Sequence, residues 1–186
     1  MKVIILLLFS QEGAGLIFGY ADEMIRHMLI QIIAVGKIKE QFLKDGIAEY
    51  VKRLRPYCRV EIREVQEEKL PDSLSEKEIK QALERETERL FHALDRNSPV
   101  VALDVGGLQW TSEEFARKLA VWEIEGRKQV AFVIGGAMGL TDRLRKDADI
   151  RLSLSPMTFT HQMSRLIVLE QIYRAFRICR GEPYHK

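Results

Sequence analysis

Gln129–Leu140 reads QVAFVIGGAMGL. Six β-favouring, mostly apolar residues end abruptly in a glycine-rich turn, and Thr141 then stands where a helix N-cap is wanted. A short apolar run bounded by glycine reads as a buried strand. Glycines at such a strand end let backbone N–H groups approach a ligand and permit positive φ. No Lys-Ser/Thr pair follows, so this is not a nucleoside-triphosphate P-loop, and the spacing is not G-x-G-x-x-G. Taken alone, the turn fits a ligand loop and a plain tight turn equally well.

The same strand-then-helix unit recurs on both sides. Leu29–Val35 is an apolar run ended by Gly36. Residues 39–55 carry Phe42, Leu43, Ile47, Tyr50, Val51 and Leu54 at helical spacing and stop at Pro56. Arg59–Val65 alternates as a strand, and Pro71–Ser75 reads as a turn. Ser75 with Glu78 predicts a capping box for a helix through about Arg96. Pro99–Val105 is a third strand, ended by Gly106-Gly107. Thr111 or Ser112, with Glu114, caps a helix through Glu125. Beyond the opening stretch, Thr141 caps a short helix to Lys146, Ile150–Leu154 is a fifth strand, and residues 161–180 form a long helix before the tail GEPYHK. Five alternations of strand and helix predict an α/β fold, a parallel sheet with helices on both faces. Ligands in such sheets bind outside the carboxyl ends of the strands. Three strand ends stand out: Asp104–Gly107, Gly135–Gly139 and Ser153–Thr158.

The 186 residues suit one domain with a short extension. The composition, 46% hydrophobic and 30% charged, argues against disorder. Two cysteines exclude a disulfide scaffold and a four-cysteine zinc site, and suit a reducing compartment. The net charge of +2 announces no nucleic-acid partner by itself. Its distribution is uneven: residues 61–95 hold eleven acids and six bases, whereas residues 142–186 hold nine bases and five acids. Arg174, Arg177 and Arg180 recur along one side of the last helix. They read either as a solvated face with bases suited to the helix dipole or as a phosphate-contacting strip. Val3–Phe9 is apolar but far too short to cross a bilayer. A signal peptide there lacks a good cleavage site. An added edge strand is another reading. The preferred one starts the folded domain at Met28, with residues 1–27 an extension outside it.

Four histidines are present. His27 precedes the domain, and His92 falls in an amphipathic helix. His161 opens the final helix, with Arg165 one turn later on the same face. Tyr184, His185 and Lys186 crowd the tail. Such tails are usually frayed, but all three side chains can handle a proton if their pKa values are moved. There is no HExxH, paired CxxC, G-x-S-x-G or carboxylate dyad, so hydrolase and metal chemistry have no residues to run on.

Together, LDVGGLQWTSEEFA (103–116), FVIGGAMGL (132–140), RLSLSPMTFTHQMSRLIVLEQIYRAF (151–176) and the terminal PYHK resemble the small SPOUT-class methyltransferases that act on N3 of a pseudouridine in bacterial 23S rRNA. The resemblance runs from Met28 to Lys186. It implies an α/β sheet threaded at its C-terminal part as a trefoil knot, a cytoplasmic homodimer, no metal, and S-adenosylmethionine held in the knot loops. Carried over, the cofactor positions are Leu103, Gly135, Leu154, Ser155, Pro156, Met157, Thr158 and Phe159. Tyr184 and His185 would orient the base and relay its proton, while His161, Arg165 and Arg174 steady the anionic base or a flanking phosphate. The implied substrate is rRNA within the assembled ribosome. Two residues depart from the family pattern. Leu108 stands where Lys is common, which puts a loop contact to substrate in doubt. Thr160 stands where Pro often precedes the histidine, which leaves the turn less rigid. Rival readings are a SPOUT methyltransferase acting on tRNA, a non-catalytic ribosome-binding factor and a nucleotide-binding regulator.

Overall fold

The computed structural model describes residues 28–68, 75–95 and 97–184. The readings placed on residues 1–27, on most of the Pro71–Ser75 turn, on Arg96 and on His185 and Lys186 lie outside the described residues.

Among the described residues, five strands and five helices alternate: β1 (Leu29–Val35), α1 (Gln41–Leu54), β2 (Arg59–Val65), α2 (Glu76–Ala93), β3 (Val100–Gln109), α3 (Ser112–Ile124), β4 (Gln129–Ile134), α4 (Asp142–Asp147), β5 (Ile150–Ser153) and α5 (His161–Cys179). All strands are parallel, in the order β2-β1-β4-β3-β5. A parallel sheet must cover both faces, so its central strands β1 and β4 are almost wholly apolar, with the buried Gln31 hydrogen-bonded to Glu61 and Gln129. Side chains alternate across it accordingly. Ile30, Ile32, Val101, Val130 and Phe132 meet α1, α3 and α5 on one face. Ile33, Val35, Ala102, Ala131 and Val133 meet α2 and α4 on the other. The α/β class with helices on both faces is the one expected.

Local signals set the helix starts. Ser75 with Glu78 and Thr111 with Glu114 both form complete capping boxes. Thr141 accepts from Leu144 N at the start of α4. Thr160 does the same for Met163 N at 3.2 Å, so a hydroxyl cap fixes the entry to α5 where the family's proline is missing.

The third strand departs from expectation. It does not end at Val105 but runs on to Gln109, re-pairing with β5 through Leu108 and Leu152 after an irregularity beyond Leu103. Gly107 permits this. A Cβ there would stand 2.6 Å from the Arg151 carbonyl carbon, so only glycine lets the two backbones pass. Before the irregularity, Leu103 is level with Ile134 of β4 and with Leu152 of β5. At this height β4 and β5 end and β3 breaks out of its regular ladder, so the three segments that leave it start side by side.

Under α3 and α5, Glu123 is a partly buried carboxylate whose Oε1 has no hydrogen-bond partner. Burial raises its pKa to about 7, with Arg180 opposing. The fold therefore favours the protonated form, while the unfolded chain ionises in the ordinary carboxylate range. Stability from this group is complete in acid and is lost as the pH rises to about 7. Urea unfolding of Glu123→Gln at pH 5 and pH 8 should show a fall between the two smaller than in the native protein, by about 1–3 kcal/mol.

Candidate active site

The ends of β4 and β5 and the irregularity in β3 open into one cavity of about 260 Å³. Leu103, Asp104 and Val105 line it from β3, and Ile134 to Ala137 with Gly139 and Leu140 from the loop after β4. Leu152 to Ser155, Met157 to Phe159, His161 and Ser164 line it from β5 and the start of α5. Of the eight expected cofactor positions, seven line this cavity, and Pro156 is the exception.

Close packing shapes the glycine loop. A Cβ on Gly135 would stand 2.3 Å from the Gly139 carbonyl oxygen, so its bare backbone is taken up by the loop's own closure. Gly139 has φ +80, and its N–H donates to Gly136 O at 3.1 Å. A bent, backbone-walled cradle results, of the kind that reads a neutral heterocycle by amide and carbonyl groups.

His161 faces the cavity from the first turn of α5. It is partly buried, and its Nε2 lies 3.3 Å from where a Gly36 Cβ would stand. Burial first, and then the Arg165 charge, lower its pKa below the ordinary imidazole value, with Glu67 opposing. The ring is thus held neutral near physiological pH, free to accept a proton.

The structure puts Arg165 elsewhere in function. Its side chain is wholly buried. Nη2 donates to Val35 O at 2.6 Å and Gly36 O at 2.7 Å, and Nη1 to Glu64 Oε1 at 2.9 Å. With these contacts the guanidinium serves the chain's own carbonyls and is sealed off from any base or phosphate. Helical spacing puts Arg165 beside His161 but says nothing of how deep it sits.

Arg174 and Tyr184 lie at the opposite end of α5. Arg174 pairs with Glu170 at 2.5 Å and stands over the Tyr184 ring at 4.6 Å. The Tyr184 hydroxyl donates to Glu170 Oε1 at 3.1 Å, and its ring packs edge-on against Tyr173. Burial, with Tyr50 and Glu170, raises the Tyr184 pKa, so here the phenol keeps its proton. Arg177 holds the tail too, through Glu182 at 2.9 Å and Pro183 O at 3.1 Å. The arginines are therefore not an open strip: within one chain Arg174 and Arg177 fasten the C-terminal segment, and Arg180 lies over the Tyr57 ring at 4.4 Å. Arg174 lies about 20 Å along the helix from His161 at 1.5 Å per residue.

Sequence reasoning missed Arg145 and picked out Asp104 only as the start of a strand-end loop. Both line the cavity, and they pair with each other at 3.3 Å. Arg145 follows the loop by one helical turn, a separation without a signature of its own. Among the described residues, no group of three or more His, Cys, Asp or Glu could hold a metal ion, and no helix is long and apolar enough to cross a membrane.

Comparison with known proteins decides the family. The model of the predicted SPOUT methyltransferases matches residues 28–185. This chain belongs to the SPOUT methyltransferase family. It is 54% identical over 159 residues to the ribosomal RNA large subunit methyltransferase H of Acetivibrio thermocellus, which covers 86% of this chain and all of that protein. The proteins of the same name from Carboxydothermus hydrogenoformans and Clostridioides difficile are each 49% identical over the same shares. A probable methyltransferase of Bordetella pertussis shares the fold at TM-score 0.51 and 15% identity, over 83% of this chain and 99% of that one. As a SPOUT methyltransferase the chain is an enzyme, and its methyl donor is S-adenosylmethionine.

Gly135→Ala tests the cradle. A methyl group has no room against the Gly139 backbone, so the loop must open. Calorimetric titration with S-adenosylhomocysteine should register a loss of affinity of about tenfold or more. Gly126→Ala, whose Cβ meets nothing within 4 Å, should leave it unchanged.

Proposed function

We propose that this SPOUT enzyme methylates N3 of a pseudouridine in bacterial 23S rRNA, on the assembled ribosome in the cytoplasm, as a homodimer. The observation that carries the reading is the cavity where the ends of β4 and β5 meet the irregularity in β3. It occurs on a chain about half identical to relatives named ribosomal RNA large subunit methyltransferase H. The family match begins at residue 28, in keeping with a domain over 28–186 and an extension over 1–27. The trefoil threading of the C-terminal part belongs to the same proposal.

The residues present fit the donor. A cradle that no Cβ could share, walled by backbone, suits an adenosyl group. Leu103, Gly135 and residues 154–159 would hold it. When bound, it supplies a methyl group already activated on a sulfonium. The protein's remaining task is to align the nucleophile, exclude water and manage one proton. The pseudouridine N3 carries a hydrogen and is a poor nucleophile until that proton leaves. His161, neutral and at the cavity wall, is placed to accept it or to relay it. The base itself must be accessible or flipped out of its stack.

Tyr184 and His185 would orient the base, with Arg174 steadying its negative charge. A rigid helix keeps Arg174 and Tyr184 away from the His161 of their own chain, so a second copy would bring them. Dimerisation also doubles the arginine and lysine surface from which RNA affinity, falling with salt, would come.

Labelled S-adenosylmethionine with purified 70S ribosomes tests the whole reading. Methyl transfer to the particle, mapped to N3 of a pseudouridine in 23S rRNA, is expected. Transfer to tRNA, or binding without transfer, would sink it. Tyr184→Phe and His161→Ala should each lower turnover by about 10²-fold. Mixing His161→Ala chains with chains lacking residues 183–186 should restore about a quarter of the native rate, since half the dimers would carry one complete site.

A further inference from the structure

The cavity is almost free of charge. Its lining holds one acid, Asp104, and one arginine, Arg145, beside the neutral His161. The acid is nearly enclosed, with 11% of its side chain exposed. It is shared by two guanidiniums: Arg151 Nη2 at 2.8 Å and Arg145 Nε at 3.3 Å. Asp104 is thus shared between two arginines, and the other acid of the cluster, Asp142, sits out in solvent. Arg151 spends its other contact on Gly106 O, at 3.2 Å, and does not line the cavity. Arg145 does line it. Its remaining partner, Asp142, is 86% exposed and therefore weakly coupled through solvent. Among the described residues Arg145 Nη2 donates to nothing, and it points across the mouth of the glycine loop, 3.8 Å from the position of a Gly139 Cβ.

A guanidinium held from behind by a buried acid, with free donors over a cavity, suits a planar carboxylate. The donor assigned to this cavity carries one such group, at its amino-acid end. We propose that Arg145, positioned by Asp104, binds the α-carboxylate of the methyl donor and so makes the enzyme select the full amino-acid-bearing nucleoside over shorter thioethers. Asp104 is a positioning residue: it braces β3, α4 and β5 through its two arginines and aims one of them inward. The assignment rests on the cavity being the donor site.

Binding calorimetry with two product-like probes tests it. S-adenosylhomocysteine carries the amino-acid end, and 5′-methylthioadenosine lacks it. The native protein should prefer the former. Arg145→Ala and Arg145→Gln should weaken S-adenosylhomocysteine about tenfold or more and leave methylthioadenosine unchanged, which erases the preference. Arg145→Lys, which keeps the charge, should recover part of it. Asp104→Asn should reduce the preference less than Arg145→Ala, because the charge stays and only its aim is loosened. Methylthioadenosine binding reports an intact cavity in every variant. Should Arg145→Ala lose both probes through misfolding, Arg145→Gln and Arg145→Lys decide. An unchanged preference in the Arg145 variants overturns the proposal. This is also the result expected if Arg145 contacts an RNA phosphate instead. A native protein that binds neither probe overturns the donor-site reading itself, and the proposal with it.

Discussion

A buried guanidinium holds the top of this sheet together. Where β1 ends, the carbonyls of Val35 and Gly36 leave the ladder pointing into protein rather than water. Arg165, some 130 residues later, donates to both and to Glu64 of β2. A lost partner for such a charge costs about 3–5 kcal/mol, although the pair itself contributes little net stability over an apolar substitute. What the clamp supplies is registry. It fixes the first turns of α5 against β1 and β2, and His161, one turn before it, is thereby held against Gly36 and the cavity wall. Gly46 helps from the other side. A Cβ there would press on Leu166 at 3.1 Å, so α1 and α5 lie close enough for the helix to seat.

The framework of the fold is plain in the sequence because its strands are buried on both faces. Such strands are mostly apolar runs with sharp polar or glycine ends, and β1 and β4 lie where those runs place them, while the edge strand β2 is legible from its alternation instead. Capping residues mark the helix starts for an equally local reason. The end of β3 was not legible. Asp104–Gly107 carries the composition of a turn, and only the approach of Arg151 and Leu152 converts it into strand. That is a tertiary fact with no local trace.

The site divides the same way. Its loops could be found because strand ends in a parallel sheet are where ligands bind, and seven carried-over positions do share one cavity. The charges could not be sorted. Arg165 and Arg145 look alike in sequence, each a basic residue in the second turn of a helix that follows a strand. One is sealed beneath α5 as part of the framework, and the other faces the cavity with a donor to spare. Burial separates them, and burial is set by what the rest of the chain lays over each. The glycines carry a similar lesson. Gly135 is glycine because its own loop folds back onto it, so the small residue shapes the cradle rather than opening it to the ligand.

The length of α5 imposes the last constraint. Its 19 residues span about 28 Å, with His161 at one end and the Arg174–Tyr184 contact toward the other. Every side chain along it is at least partly covered, chiefly by α1 and α3, so it has no freedom to bend its ends together. A chemistry that needs the histidine, the arginine and the tail at one base therefore cannot be completed within one chain. Of the tail's present partners, Glu170 and Arg174 are partly exposed and Tyr173 is buried in the core. In the proposed reaction, catalysis would depend on assembly in a strict sense: the helix that positions His161 in one copy would carry, at its far end, the groups that hold the base for the other.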